Sequence, residues 1–323
     1  LISPNAFEIQ HEAAFARGQS AWMTLSLHPG TTLQAFFRYA AYGSFYILAV
    51  QLLTRKNLLK KTVFVITVFA AVLAFSSILQ LYLSDSRALW FRHISVPSSV
   101  MGPYVNRNHY GGFMEMVFPV VLALFFFYRP RLGHGSLLKD LIEIFGQKKG
   151  NIHILIGAAA LLIAVSIFLS FSRGAIISTC LAFFFFILLL SRRRIARGGT
   201  MLTALVLILV CLSVSWFGWS PIIERFSTLE NEFGGKQFSR VTYWSDTFEL
   251  IRDYPAAGIG AGTFADGFRL YQSSGVDRFL DHAHNDYFEF AAEFGLVGFF
   301  LIAGFVTTVF AKTFRAYRLR RDP

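Results

Sequence analysis

Charge is scarce in this chain. Only 15% of its 323 residues are Asp, Glu, Lys or Arg, against about a quarter in soluble domains. Cysteine is nearly absent. Cys180 and Cys211 are the only two, and each sits inside an apolar block, which excludes a disulfide-stapled scaffold and leaves them as apolar thiols. No internal repeat and no low-complexity tract occurs, so a solenoid or a disordered tail is excluded as the organising principle. What is abundant is apolar surface. Hydrophobic residues make up 54% of the chain and 37 residues are Phe, and the mean hydropathy is +0.51. These residues come in long blocks, which is the pattern of a chain that crosses a membrane several times.

A span requires about 20 apolar residues, and seven blocks meet that length: 33–53, 62–83, 109–128, 152–171, 174–190, 200–217 and 287–311. The third is interrupted by Glu115 and Pro119. The fourth and fifth are separated only by Ser172, Arg173 and Gly174, which predicts a tight hairpin. The net charge of +11 would point to nucleic acid in a soluble protein. Here the basic residues follow alternate blocks, at 55–61, 129–149, 192–197 and 312–321, so they read as cytoplasmic anchors and no nucleic-acid partner is implied. That alternation leaves 1–32, 84–108, 172–174 and 218–286 on the outer side. Trp22, Trp90, Trp216, Trp219 and Trp244 lie in or beside those outer segments, as suits an interface. The expected organisation is an outer segment at 1–32, a six-span bundle at 33–217, a helical loop subdomain at 218–286, and a last span with a basic tail at 287–323. The fold class is all-α, a polytopic membrane helix bundle.

Several ionisable residues sit at the outer ends of these spans: Arg38, Glu115, Arg173 and His284. Any one of them could snorkel to headgroups. Four on one leaflet point instead to a polar, outward-facing pocket, because an intramembrane charge costs a few kcal/mol unless it faces a cavity or a partner. The run Asn106-Arg107-Asn108-His109 enters the third span on the same side. Ser172-Arg173-Gly174-Ala175 places a guanidinium at the hairpin tip, where it can grip phosphate oxygens bidentately or simply anchor the interface. Arg240, Trp244, Phe248 and Ile251 follow the spacing of one helical face, with Ser239 able to cap that helix. Arg240 would lie in its first turn, where the helix dipole favours an anion. Gly258-Ile-Gly260-Ala-Gly262-Thr-Phe264 lacks the strand, helix and acidic residue of a dinucleotide loop and reads as a tight turn. The stretch Asp281–Gly298 carries Asp281, His282, His284, Asn285 and Asp286 at the mouth of the last span. Behind them runs a stripe of mostly small residues at 287, 291, 295 and 298, suited to close helix packing. The His and Asp residues admit a metal reading, a minority one, since all lie within six residues and nothing else completes a shell.

The hairpin with Ser172–Ala175, Arg240-x-x-x-Trp244, the Gly258–Phe264 turn, His284-Asn285 followed nine residues later by Gly295-x-x-Gly298, and the run Gly102–Gly112 together resemble the O-antigen ligase and polymerase superfamily of bacterial membrane glycosyltransferases. The resemblance covers roughly residues 20–311. Family members have about twelve spans. With Leu1 in place of an initiating Met, the expectation is a C-terminal part of a longer protein. The resemblance implies a metal-independent enzyme without cofactor, in the bacterial inner membrane, with its site facing the periplasm. It would move a glycan from undecaprenyl diphosphate to an acceptor hydroxyl on lipid A core, a growing glycan or a protein. It also implies that Arg173 and Arg240 bind the diphosphate and that His284 is catalytic. Asn106, Arg107, Glu115 and Asn285 are further candidates. The absence of an Asp-x-Asp motif agrees with a metal-free reaction.

Two other classes compete. A transporter or flippase should carry midplane charges, paired repeats and broken helices, whereas here the charges lie at the outer rim and no repeat is found. A membrane scaffold would not require two arginines and a histidine on one face. Within the enzyme class, ligase, polymerase and protein O-oligosaccharyltransferase share a donor and remain open.

Overall fold

The computed structural model describes residues 24–83, 87–88, 92–93, 99–129, 145–146, 148–192, 223, 227, 240–273 and 280–319. These are helical except for connecting loops and one two-residue antiparallel bridge, β1 (Arg87–Ala88) against β2 (Arg92–His93), with Arg87 opposite His93. Five helices are long and apolar enough to cross a membrane: α2 (Lys56–Tyr82), α3 (Arg107–Phe127), α4 (Lys148–Leu169), α5 (Arg173–Arg192) and α8 (Asp286–Leu319). The chain is thus an all-α polytopic membrane protein. A further helix, α1 (Pro29–Leu52), covers the first expected span but is not among the five. Gln34, Arg38, Gln51 and three tyrosines dilute its apolar content. The expected span at 200–217 lies outside the described residues, as does the capping residue Ser239.

The chain divides into two compact units, Leu1–Gln51 with Thr228–Asp322, and Leu52–Ser227. In the second unit α3 packs on α4 and α5, and α2 packs on α3 and α4. The buried stripe of α2 is Thr67, Ala70, Leu73, Ala74 and Ser77. Its small side chains let neighbouring helices approach closely, which is what binds helices where lipid supplies no hydrophobic drive. The same device recurs at Gly111 of α3, where an added β-carbon would fall 2.6 Å from the Ala175 β-carbon of α5. Pro119 lies inside α3 and cannot donate to the carbonyl of Glu115, so that residue brings both a freed carbonyl and a carboxyl to one level of the helix. Tyr110, Met114, Val121, Ile163 and Ile167 form the fully buried centre.

The first unit is built from α1, α6 (Arg240–Asp253), the short α7 (Phe264–Phe268) and α8. Its core is Leu250, Ile251, Tyr254, Ile259, Phe264, Phe268, Ala283, Ala291 and Ala292. The buried residues of α6 are Asp246, Thr247, Leu250 and Ile251; of the expected Arg240–Trp244–Phe248–Ile251 face only Ile251 is buried, and Phe248 is exposed. The stripe that meets the core continues into Tyr254, the residue just past the end of the helix. Asp246 is drawn inward because its carboxylate accepts from the Ser273 backbone N–H at 3.0 Å and from the Ser273 hydroxyl at 2.9 Å.

The Gly258–Phe264 segment is more than a turn. α8 breaks at Gly295, whose φ is 63° and ψ 178°, a conformation open essentially only to glycine. The break frees backbone groups that must find partners. The glycine segment supplies them. Ile259 N–H donates to the Ala292 carbonyl and Gly260 N–H to the Glu293 carbonyl, both at 3.0 Å, while Leu296 N–H donates to the Pro255 carbonyl at 2.8 Å. The Glu293 carboxylate, 5% exposed, accepts the Phe264 N–H at 3.2 Å at the start of α7, a helix that the sequence pattern did not signal. Gly295, expected as a packing residue, is therefore the hinge of a backbone weld.

Candidate active site

The two arginines and the histidine reach their positions by different routes. In the second unit, Asn106 caps α3, its Oδ1 accepting the Asn108 N–H at 2.8 Å, and Arg107 is the first residue of that helix. The Ser172 hydroxyl donates to Asn108 Oδ1 at 2.9 Å, which ties the start of α3 to the hairpin between α4 and α5. Phe171 takes a left-handed φ of 52° there, turning the chain so that Arg173 opens α5. Asn106, Arg107 and Arg173 are thereby brought to neighbouring helix starts. Glu115, two turns into α3, keeps one carboxylate oxygen buried without a hydrogen-bond partner.

In the first unit, Arg240 opens α6 and His284 lies in the loop before α8. Asn285 is the cap of α8: its Oδ1 accepts from Tyr287 N–H at 3.1 Å and Phe288 N–H at 3.4 Å. His284 immediately precedes this cap and has a left-handed φ of 51°, uncommon for a residue with a β-carbon. The residue is exposed. Enough protein surrounds it that partial dehydration, and then the positive charge of Arg240, hold its pKa below the ordinary imidazole value. Asp281 and Glu289 oppose that shift and His282 reinforces it. The imidazole is consequently neutral at neutral pH and can accept a proton.

His282 behaves oppositely. Dehydration disfavours its charge, but the hydrogen bond and charge of Glu289, with Asp281 and Glu293 beyond, outweigh that and raise its pKa. Its Nδ1 lies 2.8 Å from Glu289 Oε1. A raised value means that this pair contributes stability that is fully present below the ordinary imidazole pKa and is lost as pH rises through the raised one. At 59% side-chain exposure for His282 the contribution is small.

A groove of about 650 Å³ runs from this loop along α8, headed by His284 and Asn285 and continuing past Phe290, Phe299, Ile302 and Val306. Its head is polar and its length apolar. Among the described residues, no group of three or more His, Cys, Asp or Glu side chains converges to hold a metal ion.

Sequence reading did not single out Glu289 or Glu293, and it placed Trp244 in a motif without a role for its indole N–H. The signal for the first two was present, as two carboxylates four residues apart at the start of an apolar helix, where charge is costly. Both, however, accept from backbone N–H groups of other segments, which no spacing rule reveals, and Glu289 also pairs with the His282 side chain. A family model described as O-Antigen ligase matches residues 158–303. The match takes in Arg173, Arg240, His284 and Asn285 but stops short of Asn106, Arg107 and Glu115. No curated protein and no solved structure matches the chain.

Proposed function

We propose, from the premise that this chain carries the domain of the O-antigen ligase family of membrane glycosyltransferases over residues 158–303, that it transfers a glycan from a polyprenyl diphosphate to an acceptor hydroxyl. The observation that carries the reading is His284: an imidazole kept neutral beside the Arg240 guanidinium, at the polar head of an otherwise apolar groove. A lipid-linked diphosphate has matching parts, an isoprenoid chain for the apolar length and a dianionic head for the arginine.

In this reading the acceptor hydroxyl attacks the anomeric carbon of the glycan and its proton passes to the imidazole of His284. The bond from that carbon to the diphosphate oxygen breaks, and polyprenyl diphosphate leaves with the electron pair. Charge grows on the departing oxygens as the bond lengthens, and the Arg240 guanidinium, close enough to His284 for its charge to act on the imidazole, is the group that stabilises it. Preorganised cationic donors of this kind are the largest single contribution in many such steps. The guanidinium fork supplies the positive charge that a divalent ion provides elsewhere. The depressed pKa of His284 keeps it proton-free in the ground state, which general-base catalysis requires.

The site faces the periplasm of a bacterial inner membrane in this proposal, on the charge pattern of the connecting loops. The donor is undecaprenyl-diphosphate-linked glycan, and the acceptor is lipid A core or a comparable hydroxyl, with a growing polysaccharide or a protein as the alternatives. The test is reconstitution of the protein in liposomes with a radiolabelled polyprenyl-diphosphate glycan. Release of polyprenyl diphosphate coupled to labelling of one acceptor class supports the proposal, and no consumption of donor with any of the three acceptors refutes it.

A further inference from the structure

One residue in this protein has its backbone held on both sides, through the N–H of one peptide and the carbonyl of the next. The N–H of Ala283 donates to Glu289 Oε2 at 3.0 Å, and the carbonyl of Ala283 accepts from the Trp244 indole Nε1 at 3.2 Å. Glu289 belongs to α8 and Trp244 to α6, so two helices grip the residue that precedes His284. The grip is itself braced. The second oxygen of Glu289 is engaged by His282 Nδ1 at 2.8 Å, and the Trp244 ring stacks on Phe288 with centroids 6.1 Å apart and planes within 7°. Ala283 is 1% exposed, so these two backbone groups cannot turn to water if a partner is removed.

The consequence falls on the next residue. His284 has φ 51°, a left-handed conformation that is unfavourable for a residue with a β-carbon. Such a conformation persists only where the surroundings over-determine it. Ala283 is anchored on one side and the Asn285 cap on the other, leaving His284 suspended between two points of α6 and α8. Released from the Ala283 anchor, the residue would relax to ordinary φ and its imidazole would swing away.

We infer that Glu289, with Trp244, is a positioning residue for His284. It touches no substrate. It holds the preceding peptide so that the strained backbone aims the imidazole. The inference rests on His284 being the proton acceptor proposed above. It also gives a physical reason for the Arg-x-x-x-Trp spacing: one turn of α6 presents the guanidinium, and the next delivers the indole that fixes the imidazole loop.

The experiment compares His284→Ala, Glu289→Ala, Glu289→Gln and Trp244→Phe in native membranes with a polyprenyl-diphosphate-linked glycan as donor, with protein levels normalised. Loss of kcat in Glu289→Ala on the order of 100-fold is expected, with the donor KM within about twofold. The glutamine variant keeps an oxygen acceptor for the Ala283 N–H and should recover most of that loss. Trp244→Phe, which keeps the stacking but not the N–H donor, should lower kcat by roughly tenfold. Unchanged kcat in Glu289→Ala, with His284→Ala inactive, overturns the inference and leaves the role of His284 standing. An active His284→Ala overturns the underlying reading instead. A glutamine variant as impaired as the alanine variant would mean that the carboxylate itself handles the proton, which also overturns a positioning role. Should Glu289→Ala fail to accumulate, the other two variants decide: reduced kcat in Trp244→Phe with activity retained in Glu289→Gln supports the inference, and wild-type kcat in Trp244→Phe overturns it.

Discussion

Replacing Gly295 by alanine strikes the weld that joins the last long helix to the glycine segment. The backbone there has φ 63° and ψ 178°. An added β-carbon would sit inside the van der Waals surface of the Ala256 carbonyl group and 2.6 Å from the Gly258 nitrogen. Those contacts are with backbone, so no side-chain rotation relieves them. To make room, the chain must abandon the glycine conformation and pull apart three hydrogen bonds: Ile259 to Ala292, Gly260 to Glu293 and Leu296 to Pro255. With about 1–3 kcal/mol for the strained conformation and about 1 kcal/mol for each bond, the cost is roughly 4–6 kcal/mol. That is comparable with the whole stability of many domains, about 5–15 kcal/mol. The assay is thermal unfolding of detergent-solubilised protein, followed by intrinsic tryptophan fluorescence or size-exclusion recovery. Gly304→Ala in the same helix is the control, because nothing lies within 4 Å of the β-carbon it would add. The expected result is severe loss of folded protein for Gly295→Ala and a neutral or slightly stabilised Gly304→Ala. Equal unfolding midpoints for the two variants would refute the weld.

Arg240→Ala should lower kcat/KM on the order of 100- to 1,000-fold by removing a charge donor from the leaving diphosphate, and Arg240→Lys should recover only part of it because an ammonium lacks the bidentate fork; initial rates over a range of donor concentrations check both. The pH profile of transfer should be flat at neutral pH and above and fall as pH drops through the depressed pKa of His284, because only the neutral imidazole accepts a proton; an acid limb lying above the ordinary imidazole value would contradict the assignment. Asp246→Ala should destabilise the first unit by about 1–3 kcal/mol, since it removes the acceptor for both the N–H and the hydroxyl of Ser273, a cost read from the unfolding midpoint. Transfer should survive chelation with EDTA at an undiminished initial rate, and a loss restored by added divalent ion would reinstate a metal at the His and Asp cluster.

The parts legible in the sequence are those written in short-range pattern. Apolar runs near 20 residues announced the five helices long enough to span, and the three polar residues between two runs announced the α4–α5 hairpin. Arg173 and His284 stood out because ionisable groups beside apolar blocks are costly, and Arg240 because helical spacing put it in the first turn of an amphipathic helix. On α6 the i, i+4 spacing grouped Phe248 with Ile251, whereas the core takes Ile251 with Thr247, Leu250 and Tyr254 and leaves Phe248 exposed. The weld was invisible for a different reason. Gly258 and Gly260 advertise flexible backbone, but nothing local says that their N–H groups meet a helix broken 35 residues later. Glu289 and Glu293 were passed over because each accepts from a backbone amide, Ala283 and Phe264, and every residue except proline carries an amide; the further pairing of Glu289 with His282 crosses the loop before α8.

Glycan transfer by His284→Ala, measured beside wild type with a polyprenyl-diphosphate-linked glycan and equal amounts of membrane-inserted protein, tests the central claim most directly. Removing a general base costs about 100- to 10,000-fold, so the account predicts that the variant is at least about 100-fold slower while still binding donor. Transfer at the wild-type rate by a correctly inserted variant would contradict it.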